Sequence, residues 1–219
     1  LACSREPGGA SLQPERSAPS KLADQAAEAP RRLALLRPEG GRAVDGLIEH
    51  IQAAAQKNPS KVDLWVGLGR AWVRKARETS EPGYYVNADA CAEIALGLDG
   101  DSAAALDLRG LVLLNDHRFS AARDLAQRAL AKNRHDPMAY GTLSDAELEL
   151  GGYDAAVAAA ARMMELKPNL PSYSRAAYLA WLRGDGRLAK ASMKQAIDAS
   201  PLSRKDPEPR AWALTQAAL

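Results

Sequence analysis

Aromatic residues are scarce in this chain, at 5% with a single phenylalanine, so it has little from which to build a thick sheet-type core. No run of about 18 apolar residues occurs, and therefore no segment reads as a membrane-spanning helix. Charge of one sign is lacking as well. A formal net charge of +2, with both signs mixed, argues against nucleic acid as the main partner. Cysteine is limited to Cys3, in a low-complexity N-terminal stretch, and Cys91, in the alanine-rich run ADACAEIALGL, where a small buried thiol is expected. No disulfide is expected between two such different surroundings. His50, His117 and His135 stand apart, without metal-ligand spacing. No glycine-rich phosphate loop follows a strand, and Ser144 in TLSDAE sits where a small packing residue belongs. The chain is thus expected to be non-catalytic and to need no metal or cofactor.

What the chain does have is alanine, in a repeating order. Between Pro137 and Pro168, Tyr140, Leu143, Ala146 and Leu150 give one helix an apolar face. Gly151-Gly152 breaks it, and a second helix carries Tyr153, Ala156, Val157, Ala160, Met163 and Met164 up to Lys167-Pro168. A hairpin this small cannot bury its own faces and needs neighbours on both sides. The neighbours share its register. Ala88, Ala122 and Ala156 are each 34 residues apart, and Ala189 follows 33 later. Ala95, Ala129, Met163 and Ala196 keep the same intervals, while Tyr85, Phe119 and Tyr153 precede the second helices. Trp65, Leu106, Tyr140 and Tyr173 share one first-helix position, and Gly69, Gly110, Ser144 and Ala177 another.

This order of large, small, alanine and terminal proline resembles the tetratricopeptide repeat. The resemblance implies an all-α, right-handed solenoid of helical hairpins, with four repeats over 62–102, 103–136, 137–169 and 170–202. Residues 31–61 are expected to form a capping helix or half repeat, and 203–219 the first helix of a further, truncated repeat. The first repeat departs from the pattern, because Trp65 and Leu106 are 41 residues apart. Its seven extra residues fall in KARETSEPGYYVN and are expected to lengthen the first helix or the loop, where a contact could form.

At the other end, Leu1-Ala2-Cys3-Ser4 resembles the lipobox of bacterial lipoproteins. That resemblance implies cleavage before Cys3, a lipid anchor on it, and an outer-membrane destination facing the periplasm or the cell surface. The upstream part of such a signal would have preceded Leu1. Residues 4 to about 30 are rich in Pro, Gly, Ser and Ala without an apolar period, and are expected to be a flexible tether.

In the tetratricopeptide family, partners bind in the concave groove lined by fixed positions of each first helix. Carried to this chain, those positions include Arg70 and Arg74 in repeat one, together with Val66 and Val73. Repeat two supplies Asp107 and Leu111, repeat three Asp145 and Glu149, and repeat four Tyr178, Trp181 and Leu182. Lys75 adjoins the basic end as a further candidate for acidic partners. The family resemblance implies a protein or peptide partner, anchored by Tyr178 and Trp181 unless these pack on the helix that follows. Two other roles remain open: a self-assembling subunit of an envelope complex, joined through the C-terminal helix around Trp212, or the regulatory repeats of a longer protein.

Overall fold

The computed structural model describes residues 21–200 and 208–218, and all regular structure among them is helical. Helices α1 (Lys21–Ala34) and α2 (Ala43–Lys57) precede four hairpins. These pair α3 (Val62–Thr79) with α4 (Tyr84–Leu98), α5 (Ala103–Asn115) with α6 (Phe119–Lys132), α7 (Pro137–Glu149) with α8 (Tyr153–Leu166), and α9 (Leu170–Leu182) with α10 (Gly186–Asp198). A last helix, α11 (Glu208–Ala218), packs on α10.

Every hairpin turns through the same device. One residue after each first helix takes a left-handed backbone: Ser80 and His117 at φ 56°, Gly151 and Gly184 at φ 84°. The next N–H then reaches back over the helix end, Glu81 to Ala76 O (3.0 Å), Arg118 to Leu113 O (2.9 Å), Gly152 to Glu147 O (2.7 Å) and Asp185 to Ala180 O (2.9 Å). This is the Schellman arrangement, which satisfies carbonyls that a helix end leaves unpaired.

Small residues set how closely the helices approach. Ala88, Ala122 and Ala156 have no exposed surface, and neither do Ala95, Ala129 and Ala196. At Gly69 an added Cβ would come within 2.4 Å of Leu108 Cδ2, and at Gly110 within 2.9 Å of Thr142 Cγ2. Only glycine lets α3 meet α5, and α5 meet α7, at this separation. Ser144 is indeed a packing residue, and its Oγ ties the hairpin by donating to Ala156 O at 2.9 Å. First helices adjoin directly from α3 to α5 to α7, whereas successive second helices from α4 to α10 stay apart. The row of first helices therefore forms the inner, concave layer.

The extra residues of repeat one mostly extend its first helix: α3 has 18 residues, against 13 in α5. The extension is used by the chain itself. Residues 33–45 run across it as a strap held by long-range hydrogen bonds. Trp72 Nε1 donates to Ala34 O (3.1 Å), Gln52 Nε2 to Ala34 O (3.1 Å) and Leu36 O (2.8 Å), and Asn87 Nδ2 to Leu33 O (2.7 Å). Arg42 Nη1 donates to Glu78 O at 2.9 Å. Lys75 is wholly buried, with Nζ donating to Glu39 O and Asp45 Oδ1, both at 2.6 Å, and lying 4.8 Å over the Tyr84 ring. Burial alone would push the Asp45 carboxyl up. The Lys75 hydrogen bond, the Arg42 backbone N–H and the Lys75 charge outweigh it and hold the carboxyl below its ordinary range.

Two expectations change here. Residues 21–30, read from the sequence as the end of a tether, belong to α1 although Pro30 lies inside that helix. The packing of α1 on α4, with Pro30 and Ala34 buried, outweighs the local helix-breaking signal. Lys75 is not available to an acidic partner, because the strap covers it and Asp45 neutralises it.

Candidate partner-binding groove

The inner face runs from α3 through α5 and α7 to α9, and its character changes along the way. At the α3 end the floor is closed, since Val66 and Val73 are each only 4% exposed and pack in the core with Trp65 and Trp72. Arg70 is exposed. Arg74 is half-buried and its Nε lies 2.6 Å from Glu78 Oε1, one helical turn away, so this pair joins α3 to itself. The basic end is thus narrower than the sequence suggests.

In the middle, Leu111 is half-buried against the core and Asp107 lies on the floor, 8% exposed. Burial first, then the negative charge of Asp136 and a side-chain hydrogen bond with it, push the Asp107 carboxyl up to about 7, against a downward pull from Arg70. Asp136 caps α7, its Oδ1 accepting from Met138 N (2.9 Å) and Ala139 N (3.4 Å). Further along, Asp145 accepts a two-pronged bond from Arg175 of α9, Nε at 2.8 Å and Nη2 at 2.5 Å. This fork clamps α9 to α7 across the groove floor. Glu149 is exposed.

At the α9 end two large rings stand in the open. Tyr178 is 51% and Trp181 62% exposed, and they stack on each other with centroids 6.0 Å apart and planes 16° from parallel. Neither is absorbed by α11. The adjoining Leu182 is 43% exposed and extends the apolar surface. Stacking fixes both rings before any partner arrives, which lowers the ordering cost of binding.

Cys91 is buried, and burial pushes its thiol up, away from the reactive thiolate. His117 and His135 sit exposed in turns. Cys3 lies outside the described residues. Two features were not read from the sequence: the Arg175 fork and the part played by Asp136. The first was detectable as an acid and a base facing one another at about one repeat's spacing.

No protein-family model and no curated protein matches the sequence. Solved structures do. TTC0263, a thermophilic tetratricopeptide-repeat protein of Thermus thermophilus, superposes with a TM-score of 0.67 at 16% identity, over 80% of this chain and 91% of that one. The fold is that of the tetratricopeptide repeat. A crystal structure of MamA matches with a TM-score of 0.51 at 24% identity, covering 71% of this chain and 88% of that one. MamA from Desulfovibrio magneticus RS-1, from its residue 41 to its end, gives 0.53 at 16% identity over 79% and 94%. At these identities the likeness concerns the tetratricopeptide architecture, and what binds to the face must be argued from the face itself.

Proposed function

We propose that the chain is a non-catalytic scaffold whose concave face holds an extended segment of a partner protein. The observation that carries this reading is the Tyr178–Trp181 pair. Two stacked rings, both more than half exposed on the inner face, contribute little to the fold and much to a contact. A photo-crosslinking side chain at position 178, compared with one at Ala158 on the exposed outer side of α8, tests it in cells. Adducts from position 178 alone are expected. Equal adducts from both positions, or none from 178, would overturn the reading.

The same proposal places the scaffold on the outer membrane through a lipid on Cys3, on the strength of the LACS resemblance and the Pro/Ser/Gly-rich residues that follow. Mass spectrometry of the membrane-extracted protein should find a lipid adduct on Cys3. An unmodified N-terminus removes the anchor from the proposal.

A second role, self-assembly into an envelope complex, is favoured by α11, where Trp212 is 42% and Leu214 50% exposed. If it holds, the mass in solution falls to that of a monomer in Trp212→Glu. A wild-type chain that is already monomeric at high concentration rules it out.

A further inference from the structure

We propose that Asp107, with Asp136 beside it, is a subsite for a lysine or arginine side chain of the segment bound in the groove. This rests on the scaffold reading above and specifies the chemistry of its partner. Asp107 is more than nine-tenths buried at the seam where α3, α5 and α7 adjoin, and its Oδ1 has no hydrogen-bond partner among the described residues. A buried carboxyl left in that condition costs stability. Asp89 Oδ1 on α4 also lacks a hydrogen bond, but it has the Arg109 guanidinium 3.0 Å away, and other buried carboxylates are paired. Asp45 is met by Lys75, and Asp145 by Arg175. Asp136 works as a helix cap. Among the described residues Asp107 caps nothing and joins no ion pair, and an apolar or amide side chain would serve the fold better.

The charges that act on Asp107 come from two of the elements around α5. Asp136, at the start of α7, repels its charged form, while Arg70 on α3 attracts it from an exposed position. On α4, Asp89 is taken by Arg109 at 3.0 Å, and no charge from α6 acts on the group. Two carboxyls are therefore held together on the floor of a groove, joined by a hydrogen bond that lasts only while Asp107 keeps its proton, and Asp107 Oδ1 has no partner among the described residues. A cationic side chain entering from the groove resolves both problems at once, pairing with each carboxylate. The proton that Asp107 holds near neutral pH then leaves to solvent, so binding of a basic segment is coupled to release of a proton.

The test uses the whole chain, immobilised, and a phage-displayed library of random peptides as the probe. Wild type should enrich peptides with Lys or Arg at a fixed distance from an aromatic or apolar residue. An enriched peptide should bind about tenfold more tightly at pH 8 than at pH 6. Asp107→Asn should keep the apolar preference, lose the basic one, weaken the enriched peptide by about tenfold or more, and abolish the pH dependence. Asp136→Asn, which still caps α7, should show a smaller loss of the same kind. Circular dichroism should find both variants folded. An unchanged basic preference in Asp107→Asn, or pH-independent binding to wild type, overturns the subsite. Peptides that need Tyr178 and Trp181 but show no basic preference overturn the subsite and leave the scaffold reading standing. If wild type enriches nothing, or the Tyr178→Ala/Trp181→Ala variant binds the peptides equally well, the scaffold reading falls and the subsite with it.

Discussion

The two ends of the array treat their aromatic residues in opposite ways. In repeat one, Trp65 and Trp72 are each 1% exposed, and their indole N–H groups donate to Pro59 O at 2.8 Å and Ala34 O at 3.1 Å. Tyr84 stacks on Trp72 with centroids 5.5 Å apart. In repeat four, Tyr178 and Trp181 stack in much the same manner, yet on the surface. The difference is the strap. Residues 33–45 cover the first end and supply the backbone acceptor that a buried indole requires. The other end has α11, which buries Ala213 but leaves Trp212 and the groove pair exposed. Similar side chains thus hold the fold together at one end and present a surface at the other, and what lies over them decides which.

This contrast is broken most severely by removing the buried charge pair under the strap. Lys75→Met leaves Asp45 buried and unpaired, and should lose about 3–5 kcal/mol in urea denaturation. Trp72→Ala should cost a similar amount, about 3–5 kcal/mol, by emptying the core and leaving Ala34 O with the Gln52 bond alone. A loss under about 1 kcal/mol from either would mean that the strap is not part of the folded unit. The pair also sets an acid limit. The folded pKa of Asp45 is depressed, so its contribution is present above the unfolded value of 3.8 and is lost as pH falls through the lower, folded value.

Asp107→Asn has the opposite sign. The folded carboxyl titrates near 7 and the unfolded one near 3.8, so the group's contribution falls as pH rises through this window and is level above it. The variant should gain on wild type by at most about 1.4 kcal/mol per pH unit across that range, read as thermal midpoints from pH 4 to 8. A stability difference independent of pH would contradict the unpaired, buried carboxyl. His117→Gly comes next. It relieves a left-handed residue at the position filled by Gly151 and Gly184 in later repeats, and should stabilise by up to about 1 kcal/mol in urea denaturation. The smallest effect belongs to Trp181→Ala, within about 0.5 kcal/mol, because an exposed ring gives little to the fold.

The repeating part of the molecule was legible because its physics is local and periodic. Alanines 34 residues apart mark where second helices must approach, and Gly69 and Gly110 where first helices meet. The strap was not legible. Its bonds join side chains to backbone carbonyls as far apart as Asn87 and Leu33, and no residue pattern announces a carbonyl acceptor. Lys75 looked like surface because lysine is rarely fully buried, and Pro30 looked like the end of a tether although α1 runs through it. Within the groove, the register placed Tyr178 and Trp181 on the inner face, but their exposure depended on how α11 packs. The depth of Asp107 depended on α3 and α7 closing over α5, which register alone does not give.

The central claim is that the aromatic pair of repeat four serves a partner and not the core. The most direct measurement is the urea unfolding midpoint of the Tyr178→Ala/Trp181→Ala double variant in the absence of any partner, followed by helical circular dichroism. A midpoint within experimental scatter of wild type and an unchanged folded signal are expected. A fall as large as that of Trp72→Ala, or a lost helical signal, would make the pair part of the core and contradict the claim.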